Sequence, residues 1–118
     1  MNAYAALRTV LATDAAVTAL IAQRSYPEAV PHEQALPAVA YSRASTQYEH
    51  TLSMPGVMAT ATMEIWCMGD DRVLAEQVGD AVEAACCAAF FTPVDRRGEY
   101  DPDEGIFSSV LIVEIKER

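Results

Sequence analysis

From Val57 to Cys67 the chain alternates without a break. Val57, Ala59, Ala61, Met63, Ile65 and Cys67 fall on one side, and Met58, Thr60, Thr62, Glu64 and Trp66 on the other. A period of two sustained this long predicts a strand whose sheet packs on a core on one side. Trp66 interrupts the more polar side, which predicts that it lies against a neighbouring subunit or the end of a helix. After Gly69 the period becomes helical. Val73, Leu74, Val78, Ala81, Val82, Ala85 and Ala89 recur at helical spacing, mainly opposite Arg72, Glu76, Asp80 and Glu83. Asp70-Asp71 offers the N-cap, because a carboxylate there accepts from the unpaired N–H groups of the first turn, and the helix runs to about Phe90. Alanine dominates the apolar side, so this helix approaches its sheet closely. Gly79, which costs about 1 kcal/mol relative to alanine in a helix interior, marks such a contact.

The same reading organises the flanks. Ala3, Leu7, Val10 and Leu11 share a helical face with Tyr4 beside them. Thr13-Asp14 offers a fresh N-cap, and Val17, Leu20 and Ile21 continue a second short helix, so a bent helical pair is expected. Arg24 to Pro27 reads as a short extended piece, because the residue before proline is pushed out of helical conformation. Pro27, Pro31 and Pro37 then mark an exposed connection over 27–37. Residues 38 to about 48 read as a strand, and Glu49 to Gly56 as a loop closing on a Pro-Gly turn. Thr92 to Glu99 reads as a strand, 100–105 as a polar turn, and Ile106 to Lys116 as a final strand with Phe107, Leu111, Val113 and Ile115 on one face. The expected fold is α+β: a mainly antiparallel four-stranded sheet with helices packed on one face, in the order α(α)-β-β-α-β-β, residues 1–118 forming a single domain.

Composition narrows the function. The formal net charge is −9, with eight basic residues against seventeen acidic ones, and the nearest approach to a basic patch is the pair Arg96-Arg97. Direct nucleic-acid binding, which needs Lys and Arg to neutralise phosphates, is therefore not expected. No apolar run approaches a membrane span, and the N-terminus lacks the basic start of a signal peptide, so a soluble cytoplasmic domain is expected. The three cysteines, Cys67, Cys86 and Cys87, read as reduced core or helix-surface residues.

Catalytic templates fail one by one. His32 and His50 fall in expected loops without partners at ligand spacing, so neither a metal site nor any other cofactor site is expected. Cys67 points inward by alternation, whereas a reactive thiol needs exposure and a positive environment. The run Asp101-Pro102-Asp103-Glu104-Gly105 lacks the spacing of a calcium loop, and the five glycines form no phosphate-binding pattern. The chain is expected not to be an enzyme, with no catalytic, cofactor-binding or metal-binding residues. What remains is surface: 27–37, 45–56 and the acidic 95–104.

One resemblance runs nearly the full length. LRTVLATDAAVTALIAQRSYP, then the proline-led LPAVAYSRAS, the Pro-Gly before MATATMEIWCMGDD, the helix VLAEQVGDAVEAA and the closing charged strand resemble, in order and spacing, the small tail-completion (tail-terminator) proteins of long-tailed phages, prophages and phage-like particles. The stretch Cys86-Cys87-Ala-Ala-Phe-Phe departs from the short polar end that family members often carry after the long helix. The resemblance implies a homo-oligomeric ring, a hexamer, that caps the head-proximal end of the tail tube, stops its polymerisation and meets a head-completion or connector protein. It implies assembly in the host bacterial cytoplasm and residence in the virion tail, with DNA passing through the lumen without specific binding and no membrane partner. Within that reading Gln47, Tyr48, His50 and Met54 in one segment, and Arg96, Arg97 and Tyr100 in the other, are the side chains expected to anchor contacts with a neighbouring subunit or the tube. The rival expectations are a head–tail connector adaptor or minor tail protein, a small α+β binding domain or enzyme using Cys67 or His50, and an acidic mimic of DNA.

Overall fold

A computed structural model describes residues 2–29, 35–51 and 54–117, with backbone alone for 49–51 and 54–58. It contains α1 (Ala3–Thr13), α2 (Ala15–Ile21), β1 (Ser25–Pro27), β2 (Ala38–Thr51), β3 (Met54–Gly69), α3 (Arg72–Ala88), β4 (Thr92–Asp101) and β5 (Ile106–Glu117). The expected α+β class holds. The sheet, however, has five strands in the order β1-β2-β3-β5-β4, with β1 parallel to β2 and the other pairs antiparallel. The extra strand is the extended piece at Ser25–Pro27. Three residues ending in proline are too few to show an alternation, and their pairing is supplied by β2.

Caps start the helices where the sequence places them. Asn2 caps α1, the Asp14 carboxylate accepts from Val17 N–H at 3.0 Å to open α2, and that of Asp71 accepts from Leu74 N–H at 2.7 Å to open α3. The α1–α2 break bends the pair by 80°, and neither this pair's parts nor α3 is long and apolar enough to cross a membrane as a single helix. Leu7, Leu11, Val17 and Ile21 instead join Met63, Ile65, Val78, Val82, Leu111 and Val113 in one core between the helices and the sheet. Alternation in β3 is obeyed: Ala61, Met63, Ile65 and Cys67 are fully buried. On α3 the buried line is Ala75, Val78, Gly79, Val82, Ala85 and Cys86, so Val73, expected inward, turns out to be 67% exposed. The line 75-78-79-82 is a clean i, i+3, i+4, i+7 stripe, and Val73 lies outside it.

The expected loop at 49–56 is largely strand. β2 and β3 stay paired as far as Thr51↔Met54. Nothing in residues 45–51 breaks a strand, and Pro55-Gly56 are accommodated at the start of β3 in a two-stranded ribbon, where a lost ladder bond is tolerated. The ribbon accounts for the long dimension of a body measuring 52 × 29 × 22 Å.

Candidate assembly surfaces

Among the described residues the helices cover one face of the sheet and leave the other bare. On the bare face the ladder sets Trp66 between Ala40 and Val110, with Arg97 on the far side of Val110. The Arg97 guanidinium lies 5.7 Å from the Trp66 ring centroid, so the two side chains meet above Val110, which is fully buried with no helix over it. Glu64 accepts from Trp66 Nε1 at 2.8 Å and from Arg97 Nη2 at 3.3 Å, and Glu99 accepts from Arg97 Nε at 3.0 Å. By register Asp95, Asp101 and Glu114 share this face with Glu64 and Glu99, and among the described residues the cations there are Arg97 and Lys116. Trp66 therefore lies neither at a helix end nor loose in solvent.

Arg96 turns the opposite way. Its Nε donates to Ser109 Oγ at 2.9 Å, Nη1 to Asp80 at 2.8 Å, and Nη2 to the Glu76 carboxylate at 2.7 Å and carbonyl at 3.2 Å. Its contacts thus tie edge strand β4 to α3 within the subunit. Tyr100, half exposed on the same side, stacks on Phe107 with ring centroids 4.5 Å apart, and Arg72 covers Phe107 from 5.3 Å. A bulge between Pro93 and Asp95 leaves Val94 exposed on the outer edge. At the base of the ribbon, where β5 still pairs with β3, Gln47 is exposed on the bare face and Tyr48, 64% exposed, on the other. The side chains of His50 and Met54 lie outside the described residues, as does His32 altogether. The expected anchors are thus split between two sides and two ends of the sheet.

Sequence reasoning missed Phe90. It is 94% exposed at φ 65°, beside an apolar groove of about 350 Å³ lined by Ala5, Ala6, Thr9, Val10, Ala89 and Phe91. Its conformation ends α3: Phe91 N–H donates to Cys86 O at 2.9 Å and Phe90 N–H to Cys87 O at 3.1 Å, a Schellman cap in which Phe90 takes the left-handed position glycine usually fills. Only the doublet Phe90-Phe91 after an alanine-rich helix hinted at it.

Chemistry is sparse in the described residues. Burial pushes the Cys67 and Cys86 thiols up to about 12, which keeps both protonated and inert at neutral pH, while Cys87 is exposed. Among the described residues no group of three or more His, Cys, Asp or Glu is placed to hold a metal ion. Asp101 accepts from the Asp103 and Glu104 N–H groups at 3.0 and 3.4 Å, so the acidic run closes the β4–β5 turn on itself.

The fold is similar to that of a chain in a solved structure described as the virion of a native gene transfer agent particle. The TM-score is 0.74 at 18% identity, over 97% of this chain and 92% of that one. No curated protein matches the sequence. A family profile described as tail completion protein gp17 does match, over residues 5–117. On that near-complete match, the chain belongs to the tail completion protein gp17 family, a family of structural phage-tail components.

Proposed function

We propose that the chain is a tail terminator: copies join head to tail into a ring of six that caps the head-proximal end of the tail tube, stops tube growth and presents a surface to a head-completion or connector protein. The observation that carries this is the sheet's two unlike open edges. Among the described residues no strand flanks β4 on its outer side, and none flanks β2 beyond Tyr41 on the opposite side. A closed ring needs two different complementary surfaces on each subunit, and these edges supply them. Tyr48 and Gln47 at one edge, with His50 and Met54 further along the ribbon, meet Arg97, Tyr100 and the outer side of β4 at the other; Arg96 braces β4 from behind. The structurally similar chain belongs to a virion particle, which supports a place in the virion tail; assembly in the host bacterial cytoplasm is part of the same proposal.

The bare, acidic sheet face is turned to the lumen in this reading. Six copies carry a formal charge of −54, six times the −9 of one chain, so DNA phosphates meet like charge and slide without specific binding. Particles lacking this chain should hold tails of uncontrolled length that do not join heads. Joined tails of normal length in its absence would contradict the proposal.

A further inference from the structure

A ring closed through the sheet edges, with the bare face to the lumen, uses two of the subunit's three directions. The two ends of the strands are left for the ring's two faces, and these ends are unlike.

One end is acidic. Gly69 pairs with Phe107 and Asp101 with Ile106, so the start of α3 and the β4–β5 turn lie together there. Asp70, Asp71, Asp101, Asp103 and Glu104 are all exposed, and Arg72 beside them is taken up by the Ser108 and Glu99 carbonyls. Val73 and Tyr100 are the exposed apolar side chains nearby.

The opposite end is apolar and hollowed. β4 begins at Thr92↔Glu114 while β5 runs on to Glu117, so Phe90 and Phe91 stand beside the end of β5. Phe90 is the most exposed large apolar side chain among the described residues. On one side of it lies the groove of about 350 Å³ between α1 and the end of α3. A second hollow, of about 300 Å³, is lined by Phe90 itself with Phe91, Thr60, Ile115 and Lys116. The β5 carboxylates here, Glu114 and Glu117, are matched in number by Lys116 and by Arg43, which bonds Glu117 at 2.7 Å. An apolar partner can therefore cover this end without stranding a net charge. The helix cap holds Phe90 at φ 65°, a strained conformation for any residue but glycine, and its exposed ring gains no packing within the subunit to offset the strain. A strained, exposed aromatic beside two hollows is the form of an interface anchor.

We propose that the Phe90 end is the face that meets the tail tube: Phe90 enters the tube tip, and apolar side chains of the tube fill the groove between α1 and the end of α3. This rests on the ring reading. A tube tip presents the surface that its next layer of subunits would bury, and permanent interfaces of that kind are apolar. The face kept for the head stays in water until a head arrives, which suits the acidic end.

The test is photo-cross-linking on tail tubes from the same particle, using the full chain with benzoylphenylalanine in place of Phe90 or of Glu104. The probe at 90 should cross-link to the tube protein, and the probe at 104 should not. Phe90→Gly, and Ala5→Trp, which fills the groove from an exposed helix position, should each lower co-sedimentation with tubes about ten-fold or more while circular dichroism stays unchanged. Val73→Ser, at the acidic end, should bind tubes as the parent does. Cross-links from 90 to a second copy would overturn the inference by making this corner a contact between copies. Tube binding at the parent level in both Phe90→Gly and Ala5→Trp would overturn it too, and tube cross-links from 104 would reverse the assignment of the ends. Each of these leaves the ring reading standing, whereas a parent that binds no tubes would remove that reading and this inference together.

Discussion

A Cβ on Gly79 would stand 2.6 Å from Arg96 Nη2 and 2.8 Å from Ser109 Oγ, so this helix residue is glycine because the β4 arginine crosses over it. Arg96 reaches Asp80 and the Glu76 carbonyl only by passing across that gap. The close approach of α3 to the sheet is thus a passage for a cation, and it fastens the sheet's outermost strand to the helix layer.

Gly79→Ala should therefore destabilise the fold by about 1–3 kcal/mol. The gain of about 1 kcal/mol in helix propensity is outweighed by displacement of Arg96 from its carbonyl, carboxylate and hydroxyl partners. Chemical denaturation of the two proteins checks this; a midpoint equal to or above the parent's would contradict it.

Hydrogen bonds from Arg43 hold the Glu117 carboxyl down at about 2, against an ordinary 4.5. A carboxylate with a depressed folded pKa contributes stability that is fully present above about 4.5 and is lost as the pH falls through about 2. Glu117→Gln should cost about 1–2 kcal/mol at pH 7, after allowing for solvent screening of a partly exposed pair, and almost nothing near pH 2. Urea unfolding at a series of pH values measures the difference. A gap between the two proteins that stays constant with pH would show that the carboxylate's charge contributes nothing.

Phe90 occupies a helix-ending position at φ 65° where glycine is free of strain, and its ring is 94% exposed. Phe90→Gly should raise stability by about 0.5–1 kcal/mol, the relief of the left-handed strain exceeding the extra chain entropy of glycine. Calorimetry of the monomer decides it. A lower melting temperature would mean that the ring packs on the chain in solution.

How far the sequence foretold these relationships depends on how local their causes are. The alternation of β3, the caps at Asp14 and Asp71 and the close approach at Gly79 are written in neighbouring residues, and all three stand. The strand at Ser25–Pro27 exists only because β2 offers it an edge, so no local pattern announces it. The same holds for residues 49–51, which read as loop but whose partner in β3 keeps them extended. For the candidate surfaces, exposure was legible for Gln47, Tyr48 and Tyr100. The opposite orientations of Arg96 and Arg97 follow from alternation, but which of them meets three α3 carboxylates was not legible, since α3 and β4 come together only through the fold.

Tyr48→Ala and Arg97→Ala test the two edges of the proposed ring. Each side chain is at least partly exposed, so each variant should fold as the parent does. Ring formation or tail joining should be impaired while circular dichroism shows a folded subunit. Assembly at the parent level in both variants would remove these residues from the interface.

The most direct test of the terminator reading is electron microscopy, in negative stain, of the purified protein mixed with tail tubes from its own particle. The account predicts a ring at one end of each tube and tube lengths that no longer increase. Tubes that stay uncapped and continue to grow would contradict it and would favour an adaptor at the head.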